Sequence, residues 1–398
     1  MKTVGVIVEY NPFHNGHKYH LEQAKKLSGA DYVVAIMSGN FVQRGTPAIT
    51  DKYTRTSMAL LNGADVVYEL PTFYATASAE AFAYGAISIL NGLGNIDYLC
   101  FGAEDTDLCL MKEIASILIK EPVLYTSRLK QELTLGKTFP VARRIALLPY
   151  LSGTDSNYLE RFLESSNNIL GIEYLKALKR LNSTIEPILV KRKGSSYIEE
   201  NLPDSSSLPS ATALRKSYAD INSLKAYTSY VPDSVLSLLN QVEHKTFPII
   251  LDDFSEYLYY KLLFIKQEEL VNYVDVSSDL AKRILNLRNE FTTISEFASR
   301  LKTRQFTLTR IQRVLLHILL EIKKDQTPSI YAHLLGFKKD SSVVINKKAA
   351  VIPIITKVAD SDLLLSHDMD CTNLYNRVVL KKYNVCIAND YIHPLIIQ

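Results

Sequence analysis

The amino-acid sequence predicts an α/β fold: a doubly wound parallel sheet, followed by an α-helical domain and a small α+β tail. Up to about residue 105, short apolar runs rich in β-branched and aromatic residues alternate with stretches of helical spacing, the pattern of buried parallel strands joined by crossover helices. From about residue 225 the apolar residues recur every three or four positions, as on amphipathic helices. From Ala332 short apolar runs return. The corresponding segments are 1–222, 223–330 and 331–398. Composition agrees. The 398 residues are 47% hydrophobic and 22% charged, with 15 glycines and 14 prolines, which suits a globular chain with two or three cores and excludes a disordered, collagen-like or low-complexity one.

In chain order, residues 4–8, 32–37, 66–70 and 98–101 read as strands, and 18–27, 53–62 and 78–90 as the helices between them. Right-handed crossovers then place any ligand at the carboxyl ends of the strands. Those ends are 9–16, 38–45, 71–73 and 102–105. Residues 110–181 read as a run of helices, 185–190 as a further strand, and 191–210 as a polar loop whose Ser- and Pro-rich part, 201–209, is an exposed connection. Helical spacing dominates 227–323, for example Leu258, Leu262 and Ile265, then Ile311, Val314, Leu315 and Ile318. The tail holds short apolar runs at 343–345, 351–355 and 378–380 and is expected to form a small cap.

Several function classes are excluded early. The longest apolar runs, such as 33–37, fall far short of the ~20 residues that cross a bilayer. Lys2 alone precedes the first strand and Glu9 interrupts its apolar stretch, a poor secretion signal. Four cysteines without C-x-x-C spacing predict reduced thiols and a cytoplasmic protein. A net charge of +3 is too mild to identify a nucleic-acid binder from totals, so that question turns on local clustering.

The strongest local signal is Tyr10-Asn11-Pro12-Phe13-His14-Asn15-Gly16-His17, an H-x-G-H between the first strand and the first helix. Gly16 allows close backbone approach, and the helix directs its N-terminal amides and dipole at an anion. Two imidazoles there can donate to phosphoryl oxygens as charge builds on them. A zinc site of His14, His17 and His20 is the weaker reading, because no cysteine is near and Gly16 breaks the helical face. The second loop, Ser38-Gly39-Asn40-Phe41-Val42-Gln43-Arg44-Gly45, suits a small anionic acceptor. Lys52 or Arg55, at the start of the next helix, could neutralise the same anions. Gly136-Lys137-Thr138 is not a phosphate loop, since Gln131 stands where a glycine is needed. Gly92-Leu93-Gly94 follows a helix and lacks a third glycine. Both are turns.

The string Gly5-Val6-Ile7-Val8-Glu9-Tyr10-Asn11-Pro12-Phe13-His14-Asn15-Gly16-His17 resembles the H-x-G-H nucleotidyltransferase superfamily, whose Rossmann-like domain transfers an adenylyl group from ATP. With Met37 to Gly45, Phe101-Gly102-Ala103-Glu104, Asn167 to Tyr174 and Ser210-Ala211-Thr212-Ala213-Leu214-Arg215, it resembles more closely the bacterial tRNA(Met) cytidine acetate ligase family. That resemblance implies a two-step reaction. Acetate attacks ATP to give acetyl-adenylate, and the wobble cytidine (C34) of elongator tRNA(Met) takes the acetyl group, forming N4-acetylcytidine. It implies ATP-binding positions from Ile7 through His17, on through Lys18, Tyr19 and His20, and at Gly102, Asn167, Arg192, Ser210, Thr212 and Arg215. His14, His17 and Lys52 are the expected catalytic groups, with Mg²⁺ arriving with ATP and no tightly bound cofactor. Ser38, Gly39, Asn40, Gln43 and Arg44 are expected on the acetate and acceptor side.

Residues 282–324 hold ten basic and three acidic side chains, a local net charge of +7, which suits an RNA backbone. Lys282, Arg283, Arg300, Lys302, Arg304, Arg310 and Arg313 are therefore expected to bind tRNA. No membrane and no stable protein partner are expected. A plain adenylyltransferase acting on a small phosphomonoester is the alternative enzyme, and a nucleotide-sensing module without catalysis the alternative class. The extra basic helical region argues against the first and the paired histidines against the second.

Overall fold

The computed structural model describes residues 1–151, 153–192, 208–360 and 365–398; most of the loop expected at 201–209 lies outside them. The strands are β1 (Thr3–Val8), β2 (Tyr32–Ser38), β3 (Phe41–Val42), β4 (Thr46–Pro47), β5 (Val66–Leu70), β6 (Tyr98–Ala103), β7 (Glu186–Lys191), β8 (Ala332–Phe337), β9 (Ile354–Ile355) and β10 (Ile396–Ile397). The main sheet runs β10-β8-β5-β2-β1-β6-β7, with β9 paired to β8. From β5 to β7 every pairing is parallel, with Val4 opposite Val33 and Val34 opposite Val66.

Burial on both faces explains the unbroken apolar runs. In β2, Val34 and Ile36 enter one core, while Val33, Ala35 and Met37 enter the other. The first core lies under the helices Ala79–Leu93 and Ser166–Arg180, the second under Asn15–Ser28, Lys52–Leu61 and Ala211–Ile221. The connection after β1 leads to β2 on one side and that after β6 to β7 on the other, which opens a crevice between the neighbouring strands β1 and β6 at the carboxyl edge.

Two of the expected boundaries shift. Leu224, Tyr227, Val235, Leu239 and Phe247 pack into the second core beneath the sheet, so the helical core begins at Ile249 rather than at 223. The tail is not a separate cap. Its β8 pairs antiparallel with β5, and its helix Ser366–Tyr383 buries Cys371, Tyr375, Val378 and Val379 in the helical core. A short apolar strand is satisfied by the nearest open sheet edge, and spacing alone does not say which edge that is.

Candidate active site

A cleft opens at the carboxyl ends of β1, β6 and β7. Its polar wall includes Glu9, Tyr10, Asn11, His14, Gly16, His17, Tyr19, His20, Gln43, Arg44, Asn167, Arg192, Thr212 and Arg215. Ile7, Val8, Gly102, Phe82, Phe101, Leu170, Tyr174 and Val190 line it as well. The aromatic and aliphatic side suits a flat base, and the other side suits anions.

The two histidines close the start of the helix Asn15–Ser28 on each other. His14 is the N-cap: its Nδ1 accepts the Gly16 N–H at 3.1 Å, and Nδ1 of His17 accepts the His14 N–H at 3.3 Å. The rings stack, with centroids 3.7 Å apart. Because each Nδ1 accepts, each neutral ring carries its proton on Nε2 and so keeps a donor in reserve. Burial drives the His14 pKa down to about 3, aided by the Arg192 and Arg215 charges. Burial, then His14 and Arg192, holds His17 well below the usual histidine range, and burial takes His20 to about 4. A Cβ on Gly16 would stand 2.9 Å from the His14 ring, so only glycine permits this cap. The stacked rings and the approach of His20 Nε2 to Cys100 Sγ (3.7 Å) do not converge as zinc ligands would.

The turn before the cap is held from both sides. Tyr10 adopts a left-handed φ of 50°, unusual for a bulky side chain, and its ring packs on Phe13 and His17. Asn11 Oδ1 accepts from Ile49 N at 2.8 Å, while Arg215 donates to Asn11 O at 2.6 Å. The Thr212 hydroxyl accepts from both Arg44 and Arg215, and Ser210 caps the helix Ala211–Ile221 through Ala213 N. Three guanidiniums, those of Arg44, Arg192 and Arg215, thus meet two helix N-termini around one cleft, an arrangement built for a polyanion.

This chain matches the family described as HIGH Nucleotidyl Transferase over residues 1–389. It is 41% identical to the tRNA(Met) cytidine acetate ligase of Thermoanaerobacter sp. (strain X514) over 411 aligned positions, with 100% of each chain covered. The chain belongs to the tRNA(Met) cytidine acetate ligase family. A crystal structure of Thermotoga maritima TmcAL in the apo state superposes with a TM-score of 0.92 at 31% identity, covering 100% of this chain and 99% of that one. The same protein bound with alpha-thio ATP superposes at 0.90 with the same identity and coverage.

In this member of the family, several expected site residues lie elsewhere. Lys52 is fully buried behind the loop of residues 38–45. Its Nζ contacts Glu69 at 2.8 and 2.9 Å, Asp390 at 2.9 Å and Thr372 at 3.2 Å, so it is a structural cation and not a group of the cleft. Glu69 also accepts from or pairs with His333 at 2.7 Å. Arg55 is equally buried and donates to the carbonyls of Glu9, Ser38, Gly39 and Thr50, tying the first loop to the second. Ser38, Gly39 and Asn40 lie beneath the wall, and Asn40 caps Lys52 N; from the acceptor set only Gln43 and Arg44 reach the cleft. Pro12 and Phe13 are packed below it, Asn15 turns to Ser229 and Tyr230, and Lys18 is exposed outside it.

Sequence reading missed Glu104, Asn168 and the positioning role of Arg55. Asn168 Oδ1 accepts from the backbone N–H of Glu104 and Asp105, fixing the loop after β6. Both asparagines and Glu104 stand in the family motifs, but their pairings span 63 and 64 positions. Of the basic helical residues, Lys282, Arg300, Lys302 and Arg304 are exposed. Arg283 instead caps the carbonyls of Arg300 and Leu301, Arg300 pairs with Glu290 at 2.7 Å, and Arg310 and Arg313 are partly buried against Asp275.

Proposed function

We propose that this chain is an ATP-dependent ligase that acetylates the wobble cytidine of elongator tRNA(Met). The observation that carries it is the reciprocal histidine cap, two neutral imidazoles with Nε2–H donors beside Arg192 and Arg215, in a chain that aligns end to end with the tRNA(Met) cytidine acetate ligases. One acetate oxygen bonds to the α-phosphorus of ATP as the bond to the bridging β-phosphate oxygen breaks, giving acetyl-adenylate and pyrophosphate. The cytidine N4 then bonds to the acetyl carbon, AMP leaves, and the amine loses one proton. Acetate is already ionised, so the first step calls for alignment and charge stabilisation rather than a base. His14, His17, the helix amides and the three arginines supply both, with Mg²⁺ accompanying the triphosphate.

Gln43 and Arg44 form the acceptor wall. The turn that carries them abuts the backbone of Gln312 and Arg313 at Gly45, so the hairpin packs on the basic helix Leu308–Leu319. Exposed Lys282, Lys302 and Arg304 extend this basic surface for the RNA backbone. A cytoplasmic site of action follows from the substrate, and among the described residues no helix is long and apolar enough to cross a membrane.

The test is a tRNA pool incubated with ATP and labelled acetate, comparing the wild type with the double variant His14→Ala/His17→Ala and mapping the label. Label at a wobble cytidine, absent with the variant, is expected. ATP turnover only in the presence of a small phosphomonoester would replace this reading with the simpler adenylyltransferase.

A further inference from the structure

Behind the nucleotide wall, at the ends of β6 and β7, stands a carboxylate with no assigned role. Glu104 Oε1 accepts the side-chain amide of Asn167 at 2.5 Å and lies 3.8 Å from Arg192 Nε. Its Oε2 is buried without a hydrogen-bond partner among the described residues. Asn168 holds the Glu104 backbone from below, so the carboxylate has a fixed place to work from. Asn167 and Arg192 both line the cleft, and Glu104 stands one layer behind them.

An ionised carboxylate can only accept hydrogen bonds. It therefore takes the Nδ2 end of Asn167 and leaves Oδ1 as the atom available to a ligand. We propose that Glu104 is a positioning residue that sets nucleotide specificity: by fixing the Asn167 amide, it makes this part of the cleft demand a hydrogen-bond donor on the nucleoside. A buried site built to accept such a bond discriminates against an analogue that lacks the donor. Two groups of ATP offer that chemistry, the 6-amino group of the base and a ribose hydroxyl.

The inference rests on reading the cleft as an ATP site, and its readout is nucleotide binding rather than acetylation. Dissociation constants are measured for ATP, inosine triphosphate, 2′-deoxy-ATP and 3′-deoxy-ATP with the wild type, the isosteric Glu104→Gln and Asn167→Ala. The wild type is expected to bind one analogue class on the order of tenfold more weakly than ATP. Weakness confined to inosine triphosphate assigns the base amine, and weakness confined to a deoxy analogue assigns the ribose. In Glu104→Gln the new amide can donate or accept, so Asn167 can turn over and the ratio falls toward one; Asn167→Ala flattens the same ratio directly. If Glu104→Gln weakens all four nucleotides by one common factor, or leaves the ratios intact, the inference is overturned alone. If the wild type binds none of them, the nucleotide reading of the cleft falls with it.

Discussion

At the scale of single residues, the site depends on imidazoles that stay neutral while surrounded by arginines. Their folded pKa values lie below the histidine value of 6.5, at about 3 for His14 and about 4 for His20. The unfolded chain therefore binds more protons between those values and 6.5. Stability from this source is full above pH ~6.5 and is lost as pH falls toward the folded values. His14→Asn retains a side-chain acceptor at the N-cap but removes both the titration and the Nε2 donor. It is expected to flatten the acid limb of a melting-temperature profile, and to lower acetate-dependent ATP–pyrophosphate exchange by roughly 10²–10³-fold, as loss of a transition-state donor does. Lys52 makes the opposite case. Lys52→Met leaves Glu69 and Asp390 buried without their cation, at a cost of about 3–5 kcal/mol in chemical denaturation. The ATP–pyrophosphate exchange of the folded protein should fall far less than in His14→Asn, and a comparable loss would restore Lys52 to the catalytic set. The histidine pair was legible because its geometry is local, three positions apart on one helix start. The place of Lys52 is not legible in this way, because a lysine at a helix start looks the same whether it faces a ligand or a buried carboxylate.

At the scale of elements, the β3–β4 hairpin couples the two halves of the molecule. Phe41 is fully buried in the helical core, 5.6 Å from Phe254 and 6.1 Å from Tyr375, which answers why a surface-like turn carries an aromatic. At the hairpin tip Gly45 has a φ of 77°, and a Cβ there would stand 2.3 Å from Arg313 N. Gly45→Ala must strain the turn and push the hairpin off the helix Leu308–Leu319. The expected result is a several-fold rise in KM for tRNA, as a displaced Arg44 and Gln43 wall would cause, with a smaller loss of ATP affinity because Arg44 is one of the guanidiniums lining the nucleotide cleft. Equal losses for both substrates would show that the hairpin serves the nucleotide side as much as the acceptor side. The strands and crossover helices around this hairpin were readable from period and run length. The hairpin itself looks like a loop in the sequence, because two-residue strands leave no periodicity to detect.

At the scale of the whole molecule, the tail is a shared part rather than an appendage. It supplies β8 to the sheet, four buried side chains to the helical core, and His333, Thr372 and Asp390 to the cluster around Lys52. A fragment ending at residue 330 would expose the β5 edge and strand Lys52 with one carboxylate, so it is expected to show no cooperative thermal transition and rapid proteolysis. A sharp melt near that of the full chain would instead make the tail a separate unit. The sequence by itself determined the α/β alternation, the ligand edge of the sheet, the histidine pair at the first helix start and the family, because each is written in neighbouring residues or in short motifs. Only the tertiary structure decided which side chains behind the cleft belong to chemistry and which to support. Lys52 meets Asp390 across 338 positions and Glu104 meets Asn167 across 63. Such pairings arise when packing excludes water and forces each buried charge onto a partner, a condition that residue type and spacing do not encode.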